Sequence, residues 1–293
     1  MTYDSILVPT DGSDHADRAT AHALSLASAF DATVHALGVV DIARLAGPFD
    51  AGGVDQSFID RYQEQAQEDV RHVENQWAQP DRFQGDVRNG PPAAVIDEYI
   101  TDEGIDLVAM GTHGRTGLKR FVLGSVTEHV LRTPPVPILA TRAGGDDPPT
   151  LPYRDILVPT DGSDCANAAV DHALSIARAC DATVHAINVI DTEIYPIGPG
   201  GQLPVDVSEP LKQSGQAAVE AVADRADSAG VTVDTALVNG RPSDTIRTYA
   251  TEHSIDLIVM GTHGRSGLDR MLLGSTTERV IRQSELPTVA VPE

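Results

Sequence analysis

Short apolar runs alternate with amphipathic or alanine-rich stretches along the whole chain, an alternation that predicts strand followed by helix, repeatedly. Ser5–Pro9 reads as a strand, and the turn TDGSD after it supplies Asp and Ser, residues that cap helix starts. Ala16–Ala29 reads as an Ala-rich helix and Thr33–Val40 as a second strand. A Gly- and Pro-containing stretch then leads to a polar helix near Gln56–Gln79, whose acidic residues form a solvated face, and to a weaker third strand, Arg82–Arg88. Pro92–Thr101 is a helix opened by proline, Asp106–Met110 a fourth strand, Ser125–Arg132 a helix and Val136–Thr141 a fifth strand. Short apolar strands separated by helices imply an α/β fold with a parallel, doubly wound sheet, in which ligands bind beyond the carboxyl ends of the strands.

The whole pattern then occurs a second time. YDSILVPTDGSDHAD at Tyr3 is matched by YRDILVPTDGSDCAN at Tyr153, an offset of 150 residues. The same offset relates DATVHA at Asp31 and Asp181, IDLVAMGTHGRTGL at Ile105 to IDLIVMGTHGRSGL at Ile255, and LGSVTEHVLR at Leu123 to LGSTTERVIR at Leu273. A period this long is a duplicated domain and not a solenoid repeat. The expected organisation is a domain over residues 1–142, a Gly/Pro/Asp-rich linker over 143–152 and a second domain over 153–293.

Composition narrows the function. The chain carries 43 acidic and 21 basic residues, a formal charge of −22, and Lys119 and Lys212 are its only lysines. Such a surface disfavours nucleic-acid backbones and anionic membranes as partners and suits a halophilic protein kept soluble in concentrated salt. No apolar run approaches the roughly 20 residues that span a bilayer, and the first residues lack the basic and apolar regions of a secretion signal, so the cytoplasm is the expected location. Cys165 and Cys180 form no C-x-x-C pair and match His15 and Phe30 of the first copy, so they read as small packed residues. His35 and His185 read as satisfied strand residues, and no His/Asp/Glu cluster has metal-ligand spacing.

The candidate chemistry lies after the fourth strand, in GTHGRTGLKRFVLGSVTEHV and its second copy. Gly111, Gly114 and Gly124-Ser125, matched by Gly261, Gly264 and Gly274-Ser275, frame a loop that ends at a helix start. Glycine permits positive φ and close backbone approach to a ligand, and a helix start attracts anions. Ser125, Thr127, Ser275 and Thr277 are expected to add hydroxyl donors, and Arg115 and Arg265 to meet phosphate. His113 and His263 either touch phosphate or are simply exposed, and the glycines could alternatively serve as turns alone. The sequence has no P-loop, no G-x-G-x-x-G after the first strand and no G-x-S-x-G elbow.

The glycine spacing, G-x-x-G, nine residues, then G-S, together with ILVPTDGSD in both copies, resembles the universal stress protein family in its ATP-binding branch. The resemblance covers nearly the whole chain as two tandem Rossmann-like domains. It implies a five-stranded parallel sheet in each, ordered 3-2-1-4-5, with ATP (or ADP or AMP) between strands one and four and Mg²⁺ held mainly by the phosphates. It places Pro9, Thr10 and Asp11, and Pro159, Thr160 and Asp161, beside the adenosine. Val39 or Val40, and Val189 or Ile190, would bond adenine through the backbone, and Val126 and Thr276 would follow the phosphate-binding serines. Met110 and Met260 would pack on the nucleotide or simply belong to the core. It also implies pairing of fifth strands, here as an intrachain pseudo-dimer or as a homodimer of chains. The function expected from all this is a nucleotide-dependent stress-response sensor or regulator. The alternatives are a slow ATPase or autophosphorylating enzyme acting through Ser125 or Ser275, and an interaction module that binds no nucleotide.

Overall fold

A computed structural model describes residues 2–42, 56–114, 123–132, 135–142, 150–192, 205–264 and 273–293. The chain divides into two compact units, Thr2–Pro149 and Thr150–Glu293.

In the first unit, β1 (Ser5–Thr10), β2 (Thr33–Val40), β3 (Phe83–Asn89), β4 (Leu107–Gly111) and β5 (Ile138–Thr141) form an all-parallel run in the order β3-β2-β1-β4-β5. The helices between them are α1 (Asp14–Phe30), α2 (Gln56–Gln76), α3 (Pro92–Glu103) and α4 (Ser125–Arg132). In the second unit the strands are β6 (Asp155–Pro159), β7 (Thr183–Ile190), β8 (Val233–Asn239), β9 (Leu257–Gly261) and β10 (Thr288–Val291), in the order β8-β7-β6-β9-β10. Its helices are α5 (Asp164–Cys180), α6 (Val205–Ala229), α7 (Pro242–Glu252) and α8 (Ser275–Gln283). The order reverses between β1 and β4 and between β6 and β9, which opens a crevice at each switch point.

Residue size sets how the layers pack. Ala16, Ala19, Ala23 and Ala27 are buried along one face of α1, so the helix lies close to the sheet. β1 and β4 are buried on both sides, whereas β3, at the sheet edge, has only half-buried and exposed positions, hence its weaker apolar signal. The buried histidines of β2 and β7 are satisfied. His35 Nδ1 lies 3.2 Å from the Tyr99 hydroxyl, and His185 lies 3.4 Å from the Tyr249 hydroxyl and 3.0 Å from Asp155. Both cysteines are free, Cys165 buried and Cys180 partly so.

Between the sequence anchors the two copies slip by one residue. Gly38 of β2 leaves room for Ala66 of α2, 3.1 Å from where a Cβ would stand; at the equivalent place in the second unit, Asn188 of β7 faces Gly215 of α6. A small strand residue against a larger helix residue has become the reverse, with the contact one position earlier along the helix. Most of the stretches after β2 and β7 lie outside the described residues; the end of the second one, from Val205, is helical.

The helix α3 ends on Gly104 in the left-handed region, φ +62°, with open space where a Cβ would be. The equivalent position after α7 is Ser254, which adopts φ +52°. An L-residue there is strained by about 1 kcal/mol relative to glycine. Ser254→Gly is therefore expected to stabilise the protein by about 1 kcal/mol and Gly104→Ser to destabilise it by about as much, read from urea unfolding midpoints.

Candidate functional site

Of the helices that begin at each crevice, α1 and α4 in the first unit, and α5 and α8 in the second, have starts that differ. The turn after β1 satisfies its own donors. Thr10 Oγ1 accepts from Gly12 N at 3.2 Å, Asp11 Oδ1 from Ser13 N at 3.1 Å, and Ser13 Oγ from Ala16 N at 3.3 Å. Thr160, Asp161 and Ser163 repeat these bonds at 3.2, 3.0 and 3.2 Å. The start of α1, like that of α5, is closed by its own side-chain cap.

The start of α4 is held differently. Thr112 N donates to Thr141 O at 2.7 Å, and Thr112 O accepts from Gly124 N at 2.7 Å, so the loop between them is closed at its base. Thr127 Oγ1 donates to Gly111 O at 2.7 Å and ties the first turn of the helix to the end of β4. The first backbone donor to find an intrahelical acceptor is Glu128 N, bonded to Gly124 O at 2.8 Å. The second unit repeats this geometry through Thr262, Gly274, Thr277 and Glu278. The N–H groups of Ser125–Thr127 and Ser275–Thr277 thus lack helical acceptors, and Gly274 caps α8 with no side-chain hydrogen bond. Such a start favours an anion.

The loop glycines have a role that differs from the one the sequence suggests. None of Gly111, Gly114, Gly124, Gly261, Gly264 and Gly274 has a positive φ; in this region that conformation belongs to Gly12 and Gly162, at +66° and +76°. What these glycines provide is room for the protein's own atoms. A Cβ on Gly111 would stand 2.6 Å from His15 Cβ and 2.8 Å from its backbone carbon, and one on Gly261 would stand 2.8 Å from Cys165 Sγ. A Cβ on Gly114 would meet Asp11 Oδ2 at 2.5 Å, and one on Gly124 would meet Thr112 O at 3.2 Å. The strand end, the start of α1 and the start of α4 converge because these positions lack side chains. The hydroxyls of Thr127 and Thr277 also depart from expectation, since their protons go to the carbonyls of Gly111 and Gly261 and are not available as donors to a ligand.

The convergence forms a half-open cavity in each unit. Pro9, Thr10, Asp11, Val39, Met110, Gly111, His113, Gly114 and the run Gly124–Thr127 line one of about 270 Å³. Pro159, Thr160, Asp161, Val189, Met260, Gly261, His263, Gly264 and the run Gly274–Thr277 line the other, of about 410 Å³. These volumes lie near the range of small-ligand sites, roughly 300–1,000 Å³. Val40 and Ile190 do not reach the cavities; their carbonyls accept from Gly90 and Gly240 of the next loop. Arg115 and Arg265 lie outside the described residues. Met260 is both wall and core, packed with Leu157, Ile187 and Ile246.

The walls include residues that sequence reasoning missed: Ala16, Leu37, Pro92 and Ile96 in the first unit, and Ala166, Ile187, Asn188, Asp191, Pro242 and Ile246 in the second. The helix-opening prolines were the available signal, because Pro92 and Pro242 fix where α3 and α7 begin beside the crevice.

The surroundings of the two cavities differ. In the first, the rings of His15 and His113 lie 5.1 Å apart. Burial, His113 and the Arg142 guanidinium together push His15 below its ordinary pKa. In the second, Cys165 takes the place of His15, its thiol donating to Val291 O at 3.3 Å. Among the described residues no group of three or more His, Cys, Asp or Glu could hold a metal ion, and no helix is long and apolar enough to cross a membrane.

The sequence profile of the universal stress protein family matches residues 2–142 and again 152–292. The chain belongs to the universal stress protein family. Universal stress protein MJ0531 of Methanocaldococcus jannaschii is 42% identical over 144 residues, which is 47% of this chain and 82% of that protein. Universal stress protein YxiE of Bacillus subtilis is 30% identical over 146 residues, 47% of this chain and 99% of that protein. Each of these single-length relatives matches about half of the tandem universal stress protein described here. The crystal structure of a universal stress protein from Archaeoglobus fulgidus aligns with all of this chain and 99% of its own at a TM-score of 0.71 and 21% identity, a likeness of fold.

The two kinds of glycine contact have different consequences. Gly111→Ala and Gly261→Ala drive a Cβ against backbone and are expected to cost about 1–3 kcal/mol of stability. Gly114→Ala displaces only the far end of the Asp11 side chain and should cost well under about 1 kcal/mol. Urea unfolding of the three variants checks this; equal losses at Gly111 and Gly114 would contradict it.

Proposed function

We propose that each unit of this universal stress protein binds an adenine nucleotide in its cavity, and that the chain acts as a nucleotide-dependent sensor or regulator of stress responses. The observation that carries this is the open start of α4 and α8 at the cavity wall, where three consecutive N–H groups lack helical acceptors beside a closed, self-capped α1 and α5. Phosphates would sit at Ser125–Thr127 and Ser275–Thr277. The apolar walls around Val39, Ile96 and Met110, and around Val189, Ile246 and Met260, would receive the base. Asp11 and Asp161 would lie near the ribose, each with one carboxylate oxygen already committed to the turn. The residues present fit such a ligand, with Mg²⁺ carried mainly by its phosphates and water.

The second reading, a slow ATPase or an autophosphorylating enzyme, is favoured by the exposure of Ser125 and Ser275 at the helix starts. Calorimetry of the full chain with ATP in molar salt is expected to give binding at up to two sites per chain. Absence of any heat there would overturn the proposal. Incubation with γ-labelled ATP and Mg²⁺ separates sensor from enzyme: a sensor leaves the label on ATP. Phosphate released or transferred in a way that disappears in Ser125→Ala/Ser275→Ala would favour the enzyme.

A further inference from the structure

Each cavity wall contains a histidine with a buried ring nitrogen that has no hydrogen-bond partner among the described residues. His113 Nε2 in the first unit and His263 Nε2 in the second are enclosed and make no hydrogen bond to the described residues. An enclosed imidazole nitrogen without a partner is costly, and such groups in folded proteins ordinarily find one. Here the cost recurs in both units although the neighbouring side chain changes, His15 beside the first histidine and Cys165 beside the second.

The other ring nitrogen is engaged in both. Thr112 Oγ1 lies 3.1 Å from His113 Nδ1, and Thr262 Oγ1 lies 2.9 Å from His263 Nδ1. In the second unit the Cys165 thiol donates to the Val291 carbonyl, and of the two acceptors near the Thr262 hydroxyl, His263 Nδ1 at 2.9 Å and Cys165 Sγ at 3.6 Å, the ring nitrogen is the nearer. A threonine hydroxyl that donates to Nδ1 fixes the proton of a neutral imidazole on Nε2. His113 and His263 line the same cavities as the helix starts, and a Cβ on Gly124 or Gly274 would stand 3.5 Å from the Cα of His113 or His263.

We infer, resting on the nucleotide reading of the cavities, that His113 and His263 each donate Nε2–H to a phosphate oxygen of the bound nucleotide and so determine the preference for phosphorylated ligand over free nucleoside. The two threonines act as positioning residues that hold each ring in the donating tautomer. An anionic oxygen reinforces that choice, since the opposite tautomer would turn a lone pair toward it.

The test is calorimetry of the full chain with ATP and with adenosine, for the wild type, His113→Phe/His263→Phe and His113→Gln/His263→Gln. The Phe pair is expected to lose about tenfold in ATP affinity, the effect of one charge-assisted hydrogen bond per site, with adenosine binding unchanged. The Gln pair, whose side-chain amide supplies an N–H at similar reach, should keep most of the ATP affinity. Equal losses for both ligands in the Phe pair, or no loss for either, would overturn the assignment. The wild-type chain gives a measure that needs no variant: with ATP bound, the ¹⁵N shift of Nε2 of both histidines should lie at the protonated value, and an Nε2 without its proton in the ATP complex would also overturn it. A wild type that binds neither ligand removes the nucleotide reading itself, whereas binding of both with unaltered selectivity in the Phe pair removes only the histidine assignment.

Discussion

The hydrogen bond from Gly124 N–H to the Thr112 carbonyl, and its counterpart from Gly274 to Thr262, is the constraint on which each site depends. It closes a loop at its base and so fixes the first turn of α4 or α8 against the end of the fourth strand of its unit. The threonine two residues inside each helix, Thr127 or Thr277, adds a second tie to the strand end. At the same crevice, the turn after the first strand uses Thr, Asp and Ser to satisfy its own donors. One helix start is thereby closed and the other left open, and the open one is where an anion is favoured.

Much of this was legible in the sequence, for identifiable reasons. The parallel strands are short and continuously apolar because both their faces are covered, and the bounds of α4 match the sequence reading, Ser125–Arg132. The third strand was the least distinct because it lies at an edge and buries little. The glycines were legible as a motif but not in their role. Sequence reasoning assigned them to positive φ and to the ligand, whereas the atoms that fill the space beside Gly111 and Gly114 are those of His15 and Asp11, about a hundred residues earlier in the chain. Local pattern carries no information about such long-range contacts. For the same reason it could not show that the hydroxyl of Thr127 is committed to Gly111, or that Ile96 faces the cavity. The one-residue slip between α2 and α6 was hidden as well, because the flanking anchors keep a constant offset and only packing shows which helix residue meets Gly38 or Asn188.

The duplication has preserved the supports of the site and let its surroundings diverge. The capped turn, the closed loop base, the threonine tie and the histidine whose Nε2 has no partner among the described residues occur in both units. The cavities differ in size, and the second gains Asn188, whose amide donates to Thr160 O at 2.7 Å. His15 has become Cys165, which removes a titratable ring from beside the second cavity.

The central claim is that the open helix starts receive the phosphates. A crystal structure of the full chain grown with ATP tests it directly. The account predicts phosphate oxygens within about 3 Å of the backbone nitrogens of Ser125–Thr127 and Ser275–Thr277, with the base against the apolar wall formed by Val39 or Val189. A nucleotide bound with its phosphates away from these nitrogens, or bound outside both cavities, would contradict it.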